Sequence, residues 1–192
     1  MAEPDARNIP SRHVAELEAL YRIAGILASG EAQQRSLLAE ILDVLEGELG
    51  MRRGTILLMS PDGRELNIEI TRNPADIRRD GSRFSISEGI VGRVVQTGVP
   101  AIVPQISQEP LFIDRLRRDE PGEETSYICV PIAIGNQVVG ALSIDRAFAA
   151  DAPLEEDVRM LSIVAGMIAN DVKTRQLITE DRQALEEENT RL

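Results

Sequence analysis

Between Ser126 and Arg146 two apolar, β-branched runs meet at Gly135-Asn136. Glycine can take the positive φ that the first central position of a two-residue type II′ turn demands, so the segment predicts a β-hairpin. With that turn, Ile128, Val130, Ile132 and Ile134 share a face with Val139, Ala141 and Ser143, while Cys129, Pro131 and Ala133 share the other with Val138, Gly140, Leu142 and Ile144. Both faces are apolar. A strand pair of this kind has to be covered twice, so the sheet is expected to carry helices on one face and a different cover, able to enclose a small ligand, on the other.

The remaining chain supplies those covers. Residues 1–10, with Pro4, Pro10 and mixed charge, read as a disordered leader, and Ser11 can cap a first helix. Val14, Leu17, Tyr21, Ala24 and Ala28 recur along it at helical spacing, and Leu20, Ile23 and Leu27 widen the stripe beyond what one seam needs. A second helix carries Leu38, Ile41, Leu42, Leu45 and Leu49 and is stopped by Gly50. Thr55 to Met59 and Leu66 to Thr71 read as strands around a Ser60-Pro61-Asp62-Gly63 turn, the second half exposed, and a third strand is expected at Arg83 to Ile86. Glu88 to Pro100 is expected to hold a short helix between glycine breaks, Ala101 to Val103 an extended piece, and residues 104–125 an irregular roof with a helical turn at Leu111 to Arg117. Pro153 followed by Glu155, Glu156 and Asp157 marks the start of a long helix. Its broad stripe of Leu154, Val158, Leu161, Val164, Ala165, Ile168 and Val172 narrows beyond Lys173 to Ile178, Leu185 and Leu192, seven apart, a seam suited to a coiled coil.

The expected class is therefore α+β, with a central antiparallel sheet of five or six strands, helices on one face and a loop and short-helix lid on the other. A leader (1–10), a globular part (11–172) and a coiled-coil-like helix (173–192) make up the organisation. In 192 residues the formal net charge is −11, a field that repels phosphate backbones and disfavours direct nucleic-acid binding. One cysteine and one histidine exclude an internal disulfide and make metal chemistry a poor expectation. No run of about 18 apolar residues and no secretory leader is present, which fits a cytoplasmic chain off the membrane.

No residue set reads as a catalytic constellation. Cys129 lies mid-strand without a partner cysteine, as a buried structural thiol does; His13 sits alone at a helix start; and Gly89, Gly92 and Gly98 lack dinucleotide spacing, so backbone geometry explains them.

The segments Gly89-Ile90-Val91-Gly92-Arg93-Val94 with Thr97-Gly98-Val99-Pro100, Val103-Pro104, Gln108 to Arg115, and Ser126 to Ile132 with Gly140 to Arg146 resemble the GAF domain, a sensor module of PAS-like architecture. Within that family they are similar to the N-terminal domains of σ54-dependent activators of nitrogen fixation. The resemblance implies a regulatory domain without enzymatic activity, joined in its parent to an AAA+ ATPase and a DNA-binding module, and answering nitrogen status through 2-oxoglutarate or a PII-type signalling protein. No Gly-rich loop ending in Gly-Lys-Ser or Gly-Lys-Thr occurs in this chain, so the ATPase itself is not part of it.

If a dicarboxylate such as 2-oxoglutarate binds, it needs arginine forks and hydroxyl donors. The candidates are Arg83, Arg115 and Arg117 near the roof and Thr125, Ser126 and Tyr127 at the start of the hairpin, each arginine having surface solvation as its plain alternative. Leu17, Tyr21 and Ala24 on the first helix and Ile178 and Leu185 on the last are the candidates for a homodimer and signalling seam. A ligand-free dimerisation domain and a methionine sulfoxide reductase-like enzyme are the other readings.

Overall fold

A computed structural model describes residues 9–30, 33–73, 83–109 and 123–191. The described elements are α1 (Ile9–Ala28), α2 (Gln34–Leu49), β1 (Arg52–Met59), β2 (Glu65–Thr71), β3 (Arg83–Ser85), α3 (Gly89–Thr97), β4 (Ala101–Val103), a 3₁₀ turn (Ile106–Gln108), β5 (Thr125–Ile134), β6 (Gln137–Ala147) and α4 (Leu154–Arg191). Helix α1 begins two residues before Ser11. The turn expected around Leu111 to Arg117 lies outside the described residues.

Among the described residues six strands form one sheet in the order β3-β2-β1-β6-β5-β4, with every neighbouring pair antiparallel. Strand β6 thus sits between β1 and β5, as a strand apolar on both sides must. Helices α1, α2 and α4 cover one face, where Ile23, Leu38, Ile41, Leu42, Leu45, Ile56, Leu161, Val164 and Ile168 close around Ile128, Val130, Ile132, Leu142 and Ile144. Each such aliphatic side chain contributes about 1.5–3 kcal/mol when fully buried. Helix α2 stops where expected: Gly50 takes φ 66° and its N–H donates to Glu46 O.

The hairpin turn at Gly135-Asn136 is as expected, with Gly135 at φ 60° and Ile134 opposite Gln137. The pairing beyond it is not. The register shifts between Ile132 and Ala133, so that Ala133 faces Val138 but Ile132 faces Gly140, leaving Val139 as an extra residue on β6. From there on Ile128 lies opposite Ile144 and Val130 opposite Leu142, whereas Cys129 lies opposite Ser143 and Tyr127 opposite Asp145. The expected assignment of Ala141 and Ser143 to the face of Ile128, and of Leu142 and Ile144 to that of Cys129, is therefore reversed. A one-residue bulge in a period-two element turns every later side chain over.

Candidate functional site

The face away from α1, α2 and α4 is covered by α3, whose Ile90, Val94 and Val95 pack on Leu57, Tyr127, Cys129 and Ala141. The helix sits close to the chain that leads into it. A Cβ on Gly92 would meet Ile86 O at 2.6 Å, and the Gln96 side-chain amide donates to the same carbonyl at 2.7 Å. That glycine serves packing, in line with the backbone role read from its spacing.

Beside this apolar half the same face turns polar. Thr55 pairs with Thr71 across β1 and β2, their hydroxyls 2.8 Å apart, and Ser143 lies opposite Thr55 from β6. Asn73 is buried and its N–H donates to Thr71 Oγ1 at 3.0 Å. Asp145 is only 1% exposed, and Arg53 Nη1 stands 3.5 Å from its Oδ2. Arg53 holds φ 52°, a left-handed conformation unusual for a residue with a side chain, within the irregular stretch of β1 between Arg52 and Thr55. Hydroxyls and a buried ion pair thus lie at one end of an otherwise apolar face.

The described ends of the roof are fastened to this sheet. Ser126 donates its hydroxyl to Pro104 O at 2.7 Å, and Ser107 N–H donates to Glu124 Oε1 at 3.1 Å. Arg52 donates to Glu123 Oε1 at 2.8 Å; that hydrogen bond, reinforced by the Arg52 charge, holds the Glu123 carboxyl below its ordinary pKa. The Ser107 backbone donor does the same for Glu124.

Of the site residues chosen from sequence, Thr125, Ser126 and Tyr127 are all buried. Tyr127 lies on the lid face beside Asp145, and Ser126 alternates to the opposite face with Arg146. Arg83 pairs through its backbone with Asn67, its side chain lying outside the described residues, as do Arg115 and Arg117 entirely. The polar floor of Arg53, Thr55, Thr71, Ser143 and Asp145 escaped the sequence reading. Its one local signal was an Asp at the end of the apolar run Gly140 to Ile144.

Cys129 is a fully buried free thiol. Desolvation pushes its pKa up to about 12, against a smaller opposing effect of a hydrogen bond from Tyr127. Such a thiol is not a nucleophile near neutral pH. Among the described residues no group of His, Cys, Asp or Glu is placed to hold a metal ion, and no helix is long and apolar enough to cross a membrane.

On the helical side a cleft of about 660 Å³ opens between the start of α1, the end of α2 and the start of α4, lined by Arg12, Glu48, Arg146 and Asp157 among others. Asp157, 1% exposed, receives Arg12 Nη2 at 2.8 Å and has Arg146 Nε at 3.2 Å. Burial raises its pKa, and the charges of Arg146 and Arg12 partly offset that rise. The outer helix surfaces remain open: Leu17, Tyr21, Ala24, Ile178 and Leu185 are exposed, Tyr21 by 82%.

A family model described as the GAF domain matches residues 31–170. The chain is 34% identical over 182 residues to the Nif-specific regulatory protein of Azospirillum brasilense, covering 92% of this chain and 29% of that protein. It is 32% identical to the nitrogen fixation protein VnfA of Azotobacter vinelandii over 92% of this chain and 34% of the relative. The chain thus spans about a third of the length of these curated relatives. Among solved structures, the A. aeolicus NLH2 GAF domain in an inactive state superposes with a TM-score of 0.73 at 24% identity, covering 85% of this chain and 99% of that one. The free methionine-R-sulfoxide reductase of Neisseria meningitidis, in complex with its substrate, gives 0.69 at 21% identity, covering 84% of this chain and 91% of that one. With a sheet clad by helices on one side and a short helix on the other, and a family match over most of its length, this chain belongs to the GAF domain family.

Proposed function

We propose that this chain is the regulatory sensor domain of a σ54-dependent activator of nitrogen-fixation genes, controlling an AAA+ ATPase in the same polypeptide. The observation that carries this reading is its similarity, over 92% of its length, to Nif-specific regulatory proteins of which it matches only a part. The effector is a small molecule such as 2-oxoglutarate on the lid face, or a PII-type protein acting on the roof, and the domain works as a homodimer through Leu17, Tyr21, Ala24, Ile178 and Leu185. Exposed apolar side chains along α1 and the far part of α4 support the dimer, because a helix that leaves its own domain gains burial only from a partner.

Regulation rather than catalysis is further supported by Cys129: the chain's one cysteine is sealed in the core and kept protonated, so a thiol-based reductase reading has no nucleophile. A ligand-free dimerisation domain is the rival. Calorimetric titration with 2-oxoglutarate, run beside a pull-down with a PII-type protein, separates them. Saturable heat or a retained PII protein supports the sensor, whereas neither, in a chain that still dimerises, gives the scaffold.

A further inference from the structure

We infer that Asp145 and Arg146, consecutive on β6 with side chains on opposite faces of the sheet, couple the lid face to the roots of α1 and α4. The inference rests on the sensor reading in taking the lid face as the input.

On the lid side, Asp145 is buried against Arg53, and Arg53 sits in the irregular stretch of β1 in a left-handed conformation. Its neighbour Arg52 reaches the end of the roof at Glu123. On the helical side, Arg146 places Nε 3.2 Å from Asp157 and donates through Nη1 to Leu49 O at 2.8 Å. Asp157 belongs to the first turn of α4 and is also held by Arg12 of α1, which itself reaches Glu16 at 2.9 Å and Glu156 at 3.4 Å. A line of paired charges therefore runs from Glu123 through the adjacent Arg52 and Arg53 to Asp145, and across one peptide from Arg146 through Asp157 to Arg12.

The coupling follows from strand geometry. Successive side chains of a strand stand on opposite faces of one backbone, so a twist of β6 that carries Asp145 with Arg53 swings Arg146 on the other side. Asp157 is buried and has charged partners, and leaving it uncompensated is costly, so the first turn of α4 and the start of α1 follow Arg146. The element with two arrangements is the β1 irregularity: a bulged strand lacks part of its ladder, and a non-glycine residue at φ 52° stays there only while its surroundings hold it. An effector favouring one arrangement of Arg53 biases the helix roots by its difference in affinity for the two.

Hydrogen exchange of the 192-residue chain tests this without a ligand. Arg53→Gln, on the lid face, is expected to speed exchange of amides at 155–160 and 13–17 by roughly three- to thirtyfold, the range of ordinary coupling between linked sites. Arg53→Lys, which keeps the charge, is expected to restore most of the protection, and Ile68→Ala, on the same face but off this path, to leave the helix roots unchanged. In an Arg146→Gln background the Arg53 effect should vanish. Faster exchange confined to the lid face, or an equal effect with Arg146 replaced, overturns the inference. Coupling without any response to 2-oxoglutarate or a PII protein would instead leave it standing and sink the sensor reading.

Discussion

Gly140 lies so close to β1 that a Cβ built on it would meet Leu57 O at 2.2 Å. The contact is with backbone, which cannot move aside as a side-chain tip can. Gly140→Ala is expected to destabilise the fold by about 3 kcal/mol, the upper end of usual overpacking costs, read as a lower urea midpoint with unchanged slope. A midpoint within error of the parent would contradict the observed β1–β6 packing.

Removing Arg146 strips one of two arginines from buried Asp157. Arg146→Ala should cost about 2–3 kcal/mol, less than the roughly 3–5 kcal/mol of a fully orphaned buried pair because Arg12 still holds the carboxylate. Urea unfolding of the single and the Arg12/Arg146 double variant measures it, and the two losses are expected to be non-additive because they share Asp157.

The Asp157 carboxyl has a folded pKa raised above its ordinary value of 3.8, mainly by desolvation. Between 3.8 and that raised value the folded chain binds more protons than the unfolded one, so this residue's contribution to stability falls as pH rises through the window and stays low above it. Asp157→Asn should flatten that part of the pH profile of stability. A parent-minus-variant difference that grows with pH over the same range would show the sign to be wrong.

Cys129 should resist iodoacetamide in the native chain at pH 8 and react at once in urea, because only the thiolate attacks and burial holds its pKa near 12. Labelling of native protein at the rate of a free thiol would place the residue outside the core.

Replacing Ile178 and Leu185 with Asn should shift the chain toward monomer in sedimentation while leaving its urea midpoint at low concentration unchanged, since both side chains are exposed and touch none of the domain core. On the activator reading proposed above, the same pair introduced into the longer protein should weaken its response to nitrogen status.

Local periodicity carried most of the architecture. The stripe of α2 with its Gly50 stop, the strands around the Gly63 turn, the hairpin turn and the change along α4 from buried to exposed apolar side chains beyond Lys173 depend on residues within a few positions of one another, and each is found. Strand β2 was harder. Leu66, Ile68 and Ile70 alternate evenly in sequence, yet a register shift between Ile56 and Leu57 puts Ile68 with the lid-side core and Ile70 with the helical one. The pairing partner, and not β2 itself, decides that.

The sequence alone determined which segments become helix or strand, that the hairpin must be buried on both sides, and that its cysteine is structural, because these follow from side-chain size, polarity and spacing along the chain. Only the tertiary structure decided which residue faces which layer and which charges meet. One extra residue at Val139 reverses the faces of β6, and Asp145 finds Arg53 across 92 positions while Asp157 finds Arg12 across 145. Such choices are made by packing and by the cost of leaving a buried charge alone, both of which act through space and leave no trace in local pattern.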